Sequence, residues 1–402
     1  MITLSHRVQQ VKPSATLSIT AKAAALRAAG RDIIALSVGE PDFKTPLAAR
    51  KAGIEAIENG QTRYTAVAGI PELRAAISEK FQRDNKLHYA PEQILVSSGA
   101  KQCIYNLLMA MINDGDEVII PAPYWVSYPD MVLLAEGVPV IVATKENARF
   151  KLTPAQLEAA ITPKTRLLFL NSPSNPTGMA YSKEELQALG KVLQHHPGIA
   201  IATDDIYEKI IFDGIEFVTF AEANPDLIAR TITLNGVSKA HCMTGWRIGY
   251  CGAPLHLIQA MSKIQAQSTS NPCTVSQYAA LAALTVPSDE LASMLQTYAA
   301  RRKWLIAQLN DIVGMTCLQP DGAFYAFPSV EPWLGMRTTG GQILQDDVQI
   351  CAWLLEDTGV ALVPGTAFGA PGYIRFSYAV AQDVLEDAIN RVAAAAMRLT
   401  PA

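Results

Sequence analysis

The sequence predicts an α/β protein, with a mostly parallel, doubly wound sheet in a large domain and a smaller α+β domain beside it. Three observations carry that expectation. Short apolar strand signals alternate with amphipathic helix signals from about residue 94 to about residue 252. After about residue 285 the alternation gives way to one long helix, scattered strands and an alanine-rich terminal helix. The chain has 402 residues and is 50% hydrophobic, too long for one small core and too apolar for disorder.

Each element has a local reason. Thr45-Pro46 reads as a helix N-cap followed by proline at the first helical position, and Gly60 closes that helix. Pro71 opens a second helix, with Leu73, Ile77 and Phe81 on one face. Ile94–Val96 reads as a short buried strand, after which Ser97-Ser98-Gly99-Ala100 turns into a helix burying Ile104, Leu107, Leu108 and Met111. Strands follow at Glu117–Ile120, Leu167–Leu170, Ile199–Ala202, Thr231–Leu234 and Tyr250–Gly252. Ser182 and Glu185 form a capping box at the start of another helix.

Beyond residue 285 the pattern predicts a helix over Ser288–Leu309 and strands near Ala323–Ala326, Val360–Leu362 and Tyr373–Ser377. The N-terminal segment has no sheet partner nearby and is expected to pack with this second part. The resulting boundaries are 45–285 for the large domain, and 1–44 with 286–402 for the small one.

A net charge of −4 gives no reason to expect nucleic acid or an anionic membrane as a partner. The six cysteines form no Cys-x-x-Cys pair, so a zinc site is not expected. Scattered in so long a chain, they read as small buried residues of a reducing compartment. Neither a signal peptide nor a membrane span is legible, and a cytoplasmic location is expected.

The chemistry-bearing residues fall at the carboxyl ends of the strands, where open parallel sheets bind ligands. Ser98-Gly99-Ala100 precedes a helix, whose first N–H groups suit a phosphate, although such turns also serve merely to start helices. The run from Asn171 to Gly178 is dense in turn formers; a rigid turn explains its prolines and Gly178 but not Asn175. Asp204 ends an apolar strand, where a carboxylate is desolvated unless it meets a positive group or caps a helix. Tyr207, three residues on, is placed to reach the same ligand. Lys239 follows another buried strand, and burial lowers a lysine's pKa and frees its amine for Schiff-base chemistry. Arg247, eight residues on, offers a fixed charge for phosphate.

The segment from Gly236 to Gly249, with Ser238-Lys239 and Arg247, resembles the cofactor-lysine motif of fold-type I, class I/II aminotransferases, which depend on pyridoxal 5′-phosphate (PLP). Other motifs match in order: Ser37–Phe43, Arg63-Tyr64-Thr65, Pro123-Tyr124-Trp125, Asn175-Pro176-Thr177-Gly178, Asp204-x-x-Tyr207, Pro320–Tyr325 and Ile374-Arg375-Phe376-Ser377. The resemblance covers almost the whole chain and is strongest to bacterial-type aspartate aminotransferases of the aspartate/prephenate subgroup. Cys242 departs from it, standing where a non-thiol small residue is usual.

The resemblance implies that Lys239 holds PLP as a Schiff base and shuttles the proton at substrate Cα. It implies that Asp204 keeps the pyridine nitrogen protonated. It assigns Tyr207 and Asn175 to the 3′-oxygen and Trp125 to the ring face. Arg247, Ser98, Gly99 and Ala100 are assigned to the phosphate, and Tyr64 to the phosphate of a neighbouring subunit in a homodimer. Arg375 and the backbone of Gly39, with Trp125 and Asn175, are assigned to the substrate.

No counterpart of a second, distal-carboxylate arginine is evident around Gln265–Asn271. Lys101 is the candidate instead, because a cation at a helix N-terminus calls for a compensating anion. Ser14 and Thr16 are candidates to close over the site. Aspartate or glutamate is the expected amino donor and a 2-oxo acid the acceptor, with prephenate or an aromatic amino acid as alternatives. A PLP-dependent β-eliminating lyase is the competing enzyme class. A PLP-binding regulator is the non-enzyme reading, and no basic DNA-binding segment supports it.

Overall fold

The computed structural model describes residues 2–285 and 288–402. Strand β1 (Ile34–Ala35) lies outside the main sheet. That sheet has seven strands: β2 (Ile94–Ser97), β3 (Glu117–Ala122), β4 (Val138–Ala143), β5 (Thr165–Asn171), β6 (Ala200–Asp204), β7 (Thr231–Gly236) and β8 (Gly249–Gly252). Their spatial order is β2-β8-β7-β6-β5-β3-β4. Every pairing is parallel except those of β8, which runs antiparallel to both neighbours.

Helices cover both faces of the sheet, so its central strands are apolar almost throughout. β2, β6, β7 and β8 are buried at every position. β4 escaped the sequence reading. It is an edge strand, half-exposed along its length, and it carries Pro139, which weakens a strand signal.

The register aligns the ends that carry the chemistry. Asn171 at the end of β5 lies beside Asp204 at the end of β6, and Asp204 lies beside Leu234 of β7. The chain after β7 therefore delivers Lys239 next to the end of β6.

Six short strands complete the fold: β9 (Tyr325–Ala326), β10 (Met336–Arg337), β11 (Val360–Ala361), β12 (Val363–Pro364), β13 (Ile374–Ser377) and β14 (Thr400–Pro401). β12, β13 and β9 form an antiparallel sheet that carries Arg375. β1 pairs in parallel with β11, and Ala23 and Ile33 pack on Leu355 and Ala361, so the N-terminal segment joins this second part. The long helix spans Ser288–Asp311, and its Tyr298, Leu305 and Leu309 share a core with Phe324, Leu354 and Phe376. The expected boundary after residue 285 falls at residues 286–287, outside the described residues.

Three local expectations need correction. The helix begins at Leu47 with Pro46 as its N-cap; the Thr45 hydroxyl instead donates to the Cys242 carbonyl at 2.8 Å and accepts from the Trp246 indole at 3.1 Å. Tertiary partners outcompeted the local cap. Met111 is only half-buried, because it ends its helix. Cys273 is exposed rather than buried. Among the described residues, no helix is long and apolar enough to cross a membrane.

Candidate active site

A cavity of about 260 Å³ opens between the main sheet's strand ends and the sheet that carries Arg375. Lys239, Asp204, Tyr207, Asn175, Trp125 and Arg247 all line it, as do Arg375, Gly39, Ala100 and Lys101.

The Lys239 amine donates to the Gly39 carbonyl at 2.7 Å. Burial, then the nearby charges of Arg375 and Arg247, lower its pKa to about 8, against the opposing pull of Glu40 and Asp204. Asp204 is buried, and loss of solvent pushes its carboxyl upward. Two donors resist that push: the Tyr128 hydroxyl, 2.7 Å from Oδ2, and the Ile206 N–H, 3.4 Å from Oδ1. The hydroxyls of Tyr207 and Tyr325 are 2.6 Å apart, and burial drives Tyr207 far above the ordinary phenol range.

Arg375 is buried on β13. It donates to Asn175 Oδ1 at 2.9 Å and to the Ser37 carbonyl at 2.6 Å, while its Nε has no partner among the described residues. Its guanidinium also lies over Tyr325, 4.6 Å from the ring centroid. Asn171 ties two elements together: it accepts from the Asn175 N–H at 2.8 Å and donates to the Asp204 carbonyl at 2.7 Å.

At the other end of the cavity stand Arg247 and the start of the helix Ala100–Met111. The geometry there refines the sequence reading. The Ser98 N–H is taken by the Gln102 side chain at 2.6 Å and the Gly99 N–H by the Ser97 carbonyl at 2.7 Å. Neither Ser98 nor Gly99 lines the cavity; the helix's first N–H groups there belong to Ala100 and Lys101. Gly99 has a positive φ of 92°, which favours glycine, and both glycines nearby stand against close neighbours. A Cβ on Gly99 would lie 2.5 Å from Arg247 Nη2, and one on Gly249 would lie 2.0 Å from the Ala100 nitrogen.

The Lys101 amine sits 4.8 Å from the centre of the Trp125 ring, and burial, helped by Arg247, lowers its pKa. Thr16 lines the cavity together with Leu17 and Thr20, all on the helix Ala15–Ala28. Ser14 does not line it; its hydroxyl is 3.0 Å from that of Thr16. Tyr64 is 92% exposed and lies outside its own chain's cavity. Gln265, in the Gln265–Asn271 stretch that lacks a second arginine, is buried and serves the backbone carbonyls of Val67 and Val96.

Tyr128, Asn171 and Tyr325 were not assigned from sequence. Tyr325 ends the Pro320–Tyr325 motif and Tyr128 stands three residues after Trp125, but only folding shows what their hydroxyls meet.

An amine of lowered pKa, a buried carboxylate at the adjacent strand end, and an arginine at a helix start share this cavity. The family model for aminotransferases of class I and II matches residues 31–392.

The chain belongs to the class I and II aminotransferases.

The aminotransferase is 54% identical to the aspartate/prephenate aminotransferase of Cereibacter sphaeroides, over 98% of each chain. It is 48% identical to the aspartate aminotransferase of Geobacillus stearothermophilus, over 97% of this chain and 98% of the other. Among solved structures, the aspartate aminotransferase of Rhizobium meliloti superposes with a TM-score of 0.97 at 47% identity, over the whole of both chains. The Thermus thermophilus aspartate aminotransferase with maleate gives 0.91 at 42% identity, over 98% of this chain and 100% of the other.

Aminotransferases of this class use PLP, and the residues present fit it. The cavity offers an amine for an aldehyde, a buried acid for a ring N–H, and Arg247 beside a helix start for an anion.

Proposed function

We propose that the enzyme moves the amino group of aspartate or glutamate to a 2-oxo acid. The carrying observation is that the cavity holds two cations, Arg375 and Lys101, beyond Lys239, which suits the aldehyde, and Arg247, which suits the phosphate. Among the described residues, neither has a carboxylate within ion-pair distance. A dicarboxylate would supply both counter-ions. The relatives' names and the maleate in the Thermus enzyme, itself a dicarboxylate, support this reading.

When bound, PLP supplies an electrophilic aldehyde carbon and a protonated ring that withdraws electrons from substrate Cα. Lys239 would hold the aldehyde end, and its amine would then move the proton at Cα. Asp204 would accept from the ring N–H and keep it charged. Tyr207 and Asn175 would donate to the 3′-oxygen, and Trp125 would cover one ring face. Arg247, with the backbone of Ala100 and the Ser98-Gly99 turn behind it, would hold the phosphate. Arg375 would clamp the α-carboxylate beside the Gly39 backbone, and Lys101 the distal one. Thr16, with Ser14 at its helix N-cap, would shield the mouth from water.

Two parts are assigned on this reading: residues 45–285 hold the cofactor, and residues 1–44 with 286–402 bring Arg375 to it. Tyr64 would reach the phosphate of a second subunit, making the working form a homodimer in the cytoplasm. Its near-complete exposure supports that assignment.

A steady-state panel of aspartate, glutamate, aromatic amino acids and prephenate tests the substrate. The proposal fails if neither dicarboxylic amino acid is preferred. Incubation without an oxo acid, using an amino acid that carries a leaving group on Cβ such as cysteine, separates a transaminase, which retains the amino group on its cofactor, from a β-eliminating lyase, which releases pyruvate and ammonia. Prephenate is the second acceptor to test, because it also carries two carboxylates and the Cereibacter relative bears its name.

A further inference from the structure

Tyr128 is 2% exposed and is the second residue of the helix Ser127–Leu134 that follows Trp125. Two neighbours fix the plane of its ring. It stacks on Phe169 with centroids 4.8 Å apart and planes 8° apart, and meets Trp125 edge-on at 5.3 Å. Phe169 belongs to β5 and is paired in register with Ala202 of β6, two residues before Asp204. The sheet that sets the height of Asp204 thus also sets the ring that supports Tyr128.

The Tyr128 hydroxyl donates to Asp204 Oδ2 at 2.7 Å. It is the only side chain that hydrogen-bonds to this carboxylate among the described residues; the remaining donor is the Ile206 N–H, at a long 3.4 Å from Oδ1. Oδ2 is thereby engaged by a short, charge-assisted bond, and Oδ1 keeps the larger unused accepting capacity.

We infer that Tyr128 is a positioning residue, which orients Asp204 and holds it ionised so that the cofactor's ring nitrogen keeps its proton. This rests on the assignment of Asp204 to that nitrogen. A buried carboxylate deprived of a donor becomes more basic. The proton shared with the ring would then shift toward Asp204, and the ring would lose positive charge. That charge disfavours protonation of the nitrogen held at the aldehyde end, so losing it raises the pH at which that nitrogen titrates.

The test follows the visible absorption of the holoenzyme against pH. Tyr128→Phe keeps the stacked ring and removes only the hydroxyl. Its titration midpoint is expected to rise by about one pH unit, with kcat for aspartate falling about tenfold and KM little changed. A fluorinated tyrosine at position 128 is a stronger donor, retains the shape, and is expected to move the midpoint down. Phe169→Leu leaves the hydroxyl but loosens the ring that places it, and is expected to move the midpoint in the same direction as Tyr128→Phe, by less. Asp204→Asn separates the two layers of the argument. If it shifts the midpoint while neither change at Tyr128 does, the role of Tyr128 is overturned and that of Asp204 stands. If Asp204→Asn shifts nothing, both fall. If Tyr128→Phe raises the midpoint but the fluorinated tyrosine leaves it in place, Tyr128 acts by packing alone and the inference is overturned.

Discussion

The amine of Lys239 and the carbonyl of Gly39, 200 residues apart in the chain, are 2.7 Å apart across the cavity. Gly39 reaches that position because it has no side chain: a Cβ there would lie 2.3 Å from the Tyr325 hydroxyl. The same hydroxyl bonds Tyr207. Gly39→Ala is therefore expected to displace Tyr325 and Tyr207 together, at a cost of about 1–3 kcal/mol. Thermal unfolding should show the destabilisation, and kcat/KM should fall at least about tenfold. A variant with wild-type stability and turnover would show that the contact relaxes freely.

Lys239 has its pKa lowered to about 8, first by burial. The shift favours the neutral amine, so above pH 8 this lysine is a free nucleophile where an ordinary lysine stays protonated. The rate at which apoprotein captures PLP is expected to rise about tenfold per pH unit below the midpoint and level off above it. A rate still climbing at pH 10 would contradict the burial argument. Lys239→Gln should lose the visible cofactor band and about 10²–10⁴-fold in turnover, the ordinary scale of a general acid–base.

Lys101 is expected to read the distal carboxylate. Lys101→Ala should raise KM for aspartate and glutamate about 10–100-fold, the scale of one charge-assisted hydrogen bond of about 1.5–3 kcal/mol. Alanine, which has no distal carboxylate, should be used as before. Equal losses for alanine and aspartate would assign Lys101 to the phosphate end instead.

Arg375 holds Asn175 and the Ser37 carbonyl, while its Nε has no partner among the described residues. Arg375→Lys keeps the charge but not the planar fork. The expected result is a fall of about 100-fold in kcat/KM for every amino acid alike, a loss of about 3 kcal/mol of oriented binding. A loss confined to dicarboxylic substrates would exchange the roles proposed for Arg375 and Lys101.

Much of the main sheet was legible because its strands are buried on both faces and read as short apolar runs closed by turn residues. β4 was not, because an edge strand with a proline and half-exposed positions carries neither signal. The Thr45 cap failed because a hydroxyl near a helix start bonds whatever acceptor the fold brings closest, here the Cys242 carbonyl. The site residues were legible as types at strand ends: an amine after β7, an acid ending β6, an amide after β5.

The sequence alone determined which groups exist and where along each strand they stand, since burial patterns and turn chemistry are local properties. It also determined the family, through motifs spread over nearly the whole chain. The tertiary structure decided which groups meet. Tyr128 on Asp204, Lys101 against Trp125, and Arg375 on Asn175 are pairs whose separation in space is set by strand register and by two sheets facing each other. The physical reason is range. A residue's preference for strand, turn or burial acts over a few neighbours, whereas a 2.7 Å hydrogen bond between β6 and a helix 76 residues earlier exists only once the whole sheet has fixed both ends.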